Sequence, residues 1–414
     1  MGRRILHIDF NGFFAAVECF YDPSIRAFPV AVTGDPEKRH GIVLAKNQSA
    51  KKFGVKTGEA IWQAKEKCPN LVCVAPHYDR YVRFSNLGRE LYHEYSDLVE
   101  PFGLDENWVD VTGRTRDFSE AIDLANEIRL RVREEIGITV SVGVADNKIF
   151  AKLGSDLKKP DAVSAVLPEN YRDVAWKLPV GDLLMVGPST KKRLNLLGIM
   201  TIGDLAAADP AFLQSQFGKP GLTLHRFANG QDRSPVLPFG FELPVKSVGN
   251  GITAPRDLVC NDDVRLTLLM LCESVSRRLR EHGFRANVVS LAVRDCGLFS
   301  FSRQKRLKCP SFLTDEILSA AMDLFTANYG WQKPIRSLTV CASDLLPLDR
   351  PVQLSLLGEE EQRMRRETAE RAIDGIRSRF GYRSVLRGRL LTDRQIGVMN
   401  PREEHVSHPV GYRK

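Results

Sequence analysis

The stretch F-G-L-D-E-N-W-V-D-V-T (102–112) sets two adjacent carboxylates, Asp105 and Glu106, at the mouth of a β-rich run. Side chains alternate faces along a strand, so two successive acids point the same way only where the backbone turns. Gly103 just ahead of them supplies a turn. Upstream, I-L-H-I-D-F (5–10) is a short apolar run with a third acid, Asp9, near its end. A hairpin carrying Asp105 and Glu106 at its tip, beside a strand ending at Asp9, gathers three carboxylates. Clustered anions withdrawn from water repel one another and are tolerable when divalent cations sit among them. Hard oxygen ligands beside a triphosphate suit Mg²⁺, and two such ions serve an in-line phosphoryl displacement. The plainer alternative is that each acid caps or solvates its own turn.

The surroundings bear on that choice. S-D-L-K-K-P (155–160) carries Lys158 and Lys159, and A-K-N-Q-S-A-K-K-F-G-V-K (45–56) carries Lys46, Lys51 and Lys52. A triphosphate needs cations of this kind in addition to metal, although lysine runs are often solvated faces. The 414-residue chain has a formal net charge of +8 and a pI near 9.0, which fits an acidic partner, nucleic acid first. Its eight cysteines form no C-x-x-C pair and no zinc or disulfide spacing, which implies reduced thiols in the cytoplasm. No secretory signal and no apolar run long enough to span a membrane is read.

Along the chain, strands are expected at 5–10, 29–33, 41–45, 109–112 and 138–145. Helices are expected at 13–20, 49–55 ending at Gly54, 80–95, 118–135 and 147–158. This order indicates an α+β domain with a mostly antiparallel sheet. From about 168 the pattern turns helical. L-L-M-V-G-P-S-T-K-K-R-L-N-L-L-G-I-M-T-I-G-D-L (183–205) reads as two short helices about a hairpin at V-G-P, with a second turn at G-I-M-T-I-G. The backbone N–H groups of Gly187 and Gly198 would then hold a DNA phosphate; a plain helical turn is the alternative. Residues 229–245 are rich in Pro and Gly, as in a linker. A β-α-β-type block follows, with strands near 246–252, 286–295 and 335–342 and helices at 262–282 and 313–328. A charged helix is expected at 359–380.

H-I-D-F-N-G-F-F-A-A-V-E, L-D-E-N-W-V-D-V-T and S-V-G-V-A-D-N-K-I-F-A-K-L-G-S-D-L-K-K-P together resemble the Y-family translesion DNA polymerases, nearest the DinB-type branch with some UmuC-like features. The similarity runs in order over about residues 4–345. It implies an α+β right-hand polymerase, with a palm at 1–19 and 77–166 and small fingers at 20–76. A helix-hairpin-helix thumb would span 167–233, a linker 234–245 and an α/β little finger 246–350, with a C-terminal tail at 351–414. Carried over, the metal ligands are Asp9, Asp105, Glu106 and the Phe10 carbonyl, with two Mg²⁺ per site. Phe14 matches the steric gate against a ribose 2′-hydroxyl; core packing is its plainer role, and a stronger expectation for Phe13. Phe13, Phe14, Lys46, Gln48, Lys51 and Lys159 surround the nucleotide. Lys148 is expected to be structural. The family's triphosphate-binding Tyr and Arg are replaced by Gln48 and Lys51, which keep a donor and a charge but lose the bidentate fork. Asn11 stands in place of an acid.

The resemblance lays the little finger along DNA, with Arg303, Lys305 and Arg306 as phosphate contacts without base readout; a solvated basic face is the alternative. Q-L-S-L-L (353–357) is similar to the peptide by which bacterial polymerases bind the sliding clamp, Gln353 filling a polar pocket and Leu354, Leu356 and Leu357 an apolar groove. The expected function is low-fidelity, non-proofreading addition of dNTPs to a primer past damaged bases, by a cytoplasmic monomer. Two other readings are open: a polymerase-like scaffold without catalysis, and a palm-type nucleotidyl cyclase, which would need no DNA grip.

Overall fold

The computed structural model describes residues 2–35, 41–350, 360–393 and 395–397. The chain parts into two compact units between Leu243 and Pro244. The 353–357 peptide lies outside the described residues. No helix among those described is long and apolar enough to cross a membrane.

The first unit holds β1 (Ile5–Phe10), β2 (Val30–Thr33), β3 (Val43–Lys46), β4 (Val72–Val74), β5 (Val99–Pro101), β6 (Glu106–Asp110), β7 (Val140–Ala145) and β8 (Val163–Val166). Five of them form a sheet in the order β5-β6-β1-β7-β8. Its pairings are antiparallel except that of β7 with β8, a parallel edge strand the sequence reading had not foreseen. A second sheet, β3-β2-β4, includes the short β4, also unforeseen. β1 is central and buried throughout, as an apolar run with both faces covered should be.

Its two faces do different work. Leu6, Ile8 and Phe10 pack with Val109, Val140, Val142 and Val144 beneath the Tyr78–His93 and Phe118–Arg131 helices. The second of these ends in a π turn, Val132–Ile136, closed by Gly137 at φ +82°. Ile5, Trp108 and Ala145 point the other way, with Ile149, Phe150 and Leu153 of the Lys148–Leu157 helix. That helix lies directly on the sheet because two glycines face each other. A Cβ on Gly143 would fall 1.9 Å from the Ala151 carbonyl oxygen, and one on Gly154 would fall 3.1 Å from the Gly143 Cα.

Beyond the sheet, Leu194, Ile202, Leu205, Leu213 and Leu224 form the core of a helical segment. V-G-P there is flanked by the single 3₁₀ turn Val180–Asp182 and the Pro188–Leu196 helix, so one of the two expected helices is only a turn.

In the second unit β9 (Ser247–Leu258), β10 (Phe284–Asp295), β11 (Ser300–Ser311) and β12 (Ile335–Pro347) form an antiparallel sheet in the order β11-β10-β12-β9. The Asn261–Glu281 and Thr314–Asn328 helices share one core with Val289, Leu291, Val293, Leu338 and Val340. The sequence reading missed β11. As an edge strand carrying R-Q-K-R-L-K, it lacks the apolar alternation that marks a half-buried strand.

The Glu360–Phe380 helix, expected as part of a tail, belongs to this unit. Glu273, which is 4% exposed, accepts from Arg377 (3.2 Å), Arg387 Nε (2.9 Å) and the Tyr382 hydroxyl (3.0 Å). Arg280 pairs with Asp374 (2.6 Å) and Glu370 (3.2 Å). Such buried pairs hold their partners in register, because leaving one charge alone in the interior is costly.

Gly143→Ala forces the Lys148–Leu157 helix off the sheet and is expected to cost at least about 3 kcal/mol. Urea unfolding of the two proteins checks this; a loss under about 1 kcal/mol would contradict the close approach.

Candidate active site

Asp9 stands opposite Glu106 across the β1–β6 pairing, so both side chains leave the same face of the sheet. Asp105 lies just before β6, in the turn joining it to β5. There the Phe10 N–H donates to the Asp105 carbonyl at 3.0 Å, and the Phe102 N–H to the Glu106 carbonyl at 2.8 Å. The turn removes Asp105 from strand alternation, which lets consecutive acids serve one site. Asp9, Phe10, Asp105 and Glu106 line a cleft of about 400 Å³, together with Phe13, Phe14, Lys46, Gln48, Lys51 and Lys159.

Two ammonium groups lie among the acids. Lys159 Nζ is 2.6 Å from Asp9 and 2.8 Å from Asp156. Lys152 Nζ is 2.9 Å from Glu106, 3.3 Å from Asp9 and 3.1 Å from Asp156. Lys148, Lys152 and Ser155 recur at helical spacing and face the sheet. Lys148 pairs with Glu100 at 2.6 Å, beneath the Trp108 ring, in keeping with a structural role. Ser155 meets the buried His7 at 2.8 Å, and His7 Nε2 lies 3.5 Å from Glu106, too long for a good hydrogen bond. Lys152, His7, Ser155 and Asp156 were not singled out from sequence. The polar stripe 148/152/155 on an otherwise apolar helix was the available signal.

The charges are uneven. Burial, then the neighbouring Asp9 and Glu106, push the Asp105 carboxyl up to about 7. Burial also raises Asp9, against the pull of Lys152 and Lys159. For Glu106, burial is outweighed by Lys152 at 2.9 Å, and its carboxyl lies below its ordinary value. Burial pushes the His7 imidazole below its ordinary value, so it is neutral at pH 7. No three carboxylate, His or Cys side chains among the described residues are grouped ready to hold a metal. The donor set is nevertheless all oxygen, and two ammonium cations already neutralise the oxygens a divalent ion would use. The residues therefore fit a hard divalent cation.

The opposite wall is built from the start of the Phe13–Tyr21 helix and from β3. Gly12 takes φ +58°, and a Cβ there would sit 2.8 Å from the Lys46 carbonyl oxygen. Phe14 stacks on Tyr81, centroids 4.1 Å apart, while the Tyr81 hydroxyl donates to buried Glu18 at 2.6 Å. Phe13 is 3% exposed and stacks on Phe10, so its ring is core. Asn47 caps the Gln48–Lys52 helix by accepting the Ala50 N–H at 2.9 Å. Gln48 and Lys51 are three residues apart on that helix, and Lys46 donates to Thr57 at 3.0 Å. Asn11 accepts from Ser141 at 2.9 Å and ties strand ends together.

The expected DNA contacts are not gathered in this cleft. Gly187 caps the Pro188–Leu196 helix. Gly198, at φ +81°, gives its N–H to the Asn195 carbonyl at 3.1 Å, so it ends that helix, and its N–H is already engaged. On β11, Arg303 and Lys305 pair with Leu291 and Val289 and lie on the helix-bearing side of the sheet, where Lys305 meets Asp323 at 2.7 Å. Arg306 pairs with Val288 and faces the open side. The three therefore do not share one face of the sheet.

Without metal, Asp105 holds a proton in the folded chain up to about pH 7 but loses it near 3.8 when unfolded. The folded state binds more protons in that interval, so stability falls as pH rises through it. Asp105→Asn, a fixed neutral mimic, should match the wild type near pH 4 and exceed it by about 1–3 kcal/mol at pH 8 in EDTA, once partial solvent access is allowed for. Parallel stability–pH curves from denaturant melts would contradict the raised value.

The impB/mucB/samB family model matches residues 8–156, its C-terminal domain 245–356, and a DNA polymerase-iota thumb-domain model 181–232. A DNA polymerase IV of Acetivibrio thermocellus is 49% identical over 394 residues, 95% of this chain and 99% of that one. DNA polymerase IV 1 of Bacillus subtilis is 36% identical over 390 residues, 94% of this chain and 93% of that one. The solved structure "Y-family DNA polymerase chimera Dbh-Dpo4(243-245)-Dbh" superposes with a TM-score of 0.73 at 26% identity, covering 83% of this chain and 99% of that one. With three carboxylates on one cleft, an aromatic pair on its far wall and a four-stranded C-terminal sheet, the chain belongs to the Y family of translesion DNA polymerases.

Proposed function

We propose that the cleft adds dNTPs to a primer 3′-hydroxyl, with Asp9, Asp105, Glu106 and the Phe10 carbonyl holding two Mg²⁺. The chain is a DNA-directed DNA polymerase of the translesion type, and its family uses a divalent metal. The observation that carries the residue assignment is the convergence of those acids, paired with Lys152 and Lys159, on the cleft that also contains Phe14, Gln48 and Lys51. When bound there, the ions would stabilise the charge that develops on the attacking and leaving oxygens.

The chain's own residues do the rest. Asp105 gives up to solvent the proton that burial lets it keep. Lys159 releases Asp9 and turns to the triphosphate, while Lys152 stays beside Glu106 and holds it ionised. Gln48 donates to a phosphate oxygen, and Lys51 and Lys46 supply charge. The Phe14 ring, braced by Tyr81, leaves no room for a 2′-hydroxyl. Burial and nearby Lys51 push the Lys46 ammonium below its ordinary value.

In the second unit the open sheet face carries Arg294 and Arg306 among small polar residues such as Ser290, Ser337 and Thr339, and suits a phosphate backbone. Gln353, Leu354, Leu356 and Leu357 are proposed as a sliding-clamp peptide. A cytoplasmic monomer without proofreading completes the reading. A scaffold without catalysis would be marked by a missing metal ligand, and all three acids are present.

Primer extension on an undamaged template with Mg²⁺ and dNTPs tests this. Asp105→Ala and Glu106→Gln should each lower the single-turnover rate by on the order of 10²–10³-fold or more while primer–template affinity is kept. If the wild type binds DNA but extends nothing, the scaffold reading replaces this one.

A further inference from the structure

The second unit contains a cleft of about 280 Å³ between β11, the Thr314–Asn328 helix and the Glu360–Phe380 helix. We propose that it binds the phosphate backbone of duplex DNA, and that the C-terminal helix exists in part to complete it. The family's C-terminal domain model ends at residue 356, so this helix lies beyond it.

Five cations line the cleft, Lys305, Arg306, Lys308, Arg363 and Arg366, against the two acids Glu316 and Asp323. Lys305 is neutralised by Asp323 at 2.7 Å, and Arg363 lies 3.5 Å from Glu316. Lys308 and Arg366 are exposed, and no carboxylate among the described residues is within ion-pairing distance of either. They come from two different elements, so the cleft presents unneutralised charge from two walls. An isolated lysine run on a surface does not do this.

The helix that carries Arg366 is fixed. Three of its acids pair with arginines of the rest of the unit, Glu367 with Arg285 (3.4 Å) and Glu370 and Asp374 with Arg280, while Glu361 pairs with the exposed Arg365. Arg363 donates to the Pro310 carbonyl at 2.5 Å, which ties the helix to β11 itself. The docked face therefore consumes negative charge and leaves the β11 side basic. Residues 305–309 bring side chains from both faces of this edge strand to the cleft, because the β10–β11 register shifts between Ala286 and Val288. Arg306, which lines the cleft, pairs with Val288 on the open side of the sheet, and the inference rests on the reading that this open face receives duplex. The occupant is a phosphate backbone, since the excess charge is positive and nothing in the cleft reads bases.

Fluorescence anisotropy of the full chain with a long primer–template duplex, titrated at several salt concentrations, tests it. Lys308→Ala/Arg366→Ala should weaken binding by on the order of 5- to 50-fold and make the log–log salt slope shallower by roughly 2. The charge-keeping Lys308→Arg/Arg366→Lys should retain both values, and the single-turnover rate on saturating DNA should not change. Arg294→Ala probes the sheet face separately. If Arg294→Ala weakens binding and the double alanine variant does not, the cleft proposal is overturned and the sheet reading stands. If neither changes affinity or slope, both are overturned. A cleft that instead takes an acidic protein segment would leave duplex affinity and slope as in the wild type, and that also overturns the proposal.

Discussion

Like charge forced together governs this protein. Asp9 and Glu106 face each other across paired strands, Asp105 stands in the adjoining turn, and the surroundings withhold water. Such a group persists only with compensating cations. Here Lys152 and Lys159 provide them, from the Lys148–Leu157 helix and the segment just after it. The helix reaches the sheet because Gly143 and Gly154 have no side chains between them. A packing detail on one face of β7 thereby sets the electrostatics at the end of β1.

The same arrangement explains how the cleft can exchange partners. Lys159 holds Asp9 and Asp156, both of which can find other cations, whereas Lys152 touches three carboxylates and has less freedom to leave. Asp105 has no ion pair among the described residues and keeps a raised pKa. It is therefore the acid whose charge would change most on binding a divalent ion. Phe14 and Tyr81 across the cleft are braced by buried Glu18, so one wall is rigid where the other is ionic.

The sequence told much of this. L-D-E after a glycine, beside a strand ending in aspartate, made a meeting of three acids an expectation, and the β1–β6 pairing with the turn before it brings them to one cleft. Gln48, Lys51 and Lys46 were likewise found in the cleft where expected. Lys152 was not, because a lysine four residues from another reads as a solvated stripe until the sheet beneath it is known. β11 was missed since its charges hide the period of two, and Arg303, Lys305 and Arg306 were grouped by proximity in sequence although the strand sends them to opposite faces. The C-terminal helix looked like a tail because its partners Glu273 and Arg280 are about a hundred residues away.

The central claim is that these acids are a divalent-ion site. Electron paramagnetic resonance of Mn²⁺ titrated into the full chain, with primer–template DNA and a non-reacting nucleotide, measures it directly. The metal reading predicts more bound Mn²⁺ per wild-type chain than nucleotide and DNA hold alone, and a clear loss of that excess in Asp9→Asn. An Asp9→Asn protein that binds Mn²⁺ with wild-type number and affinity would contradict it.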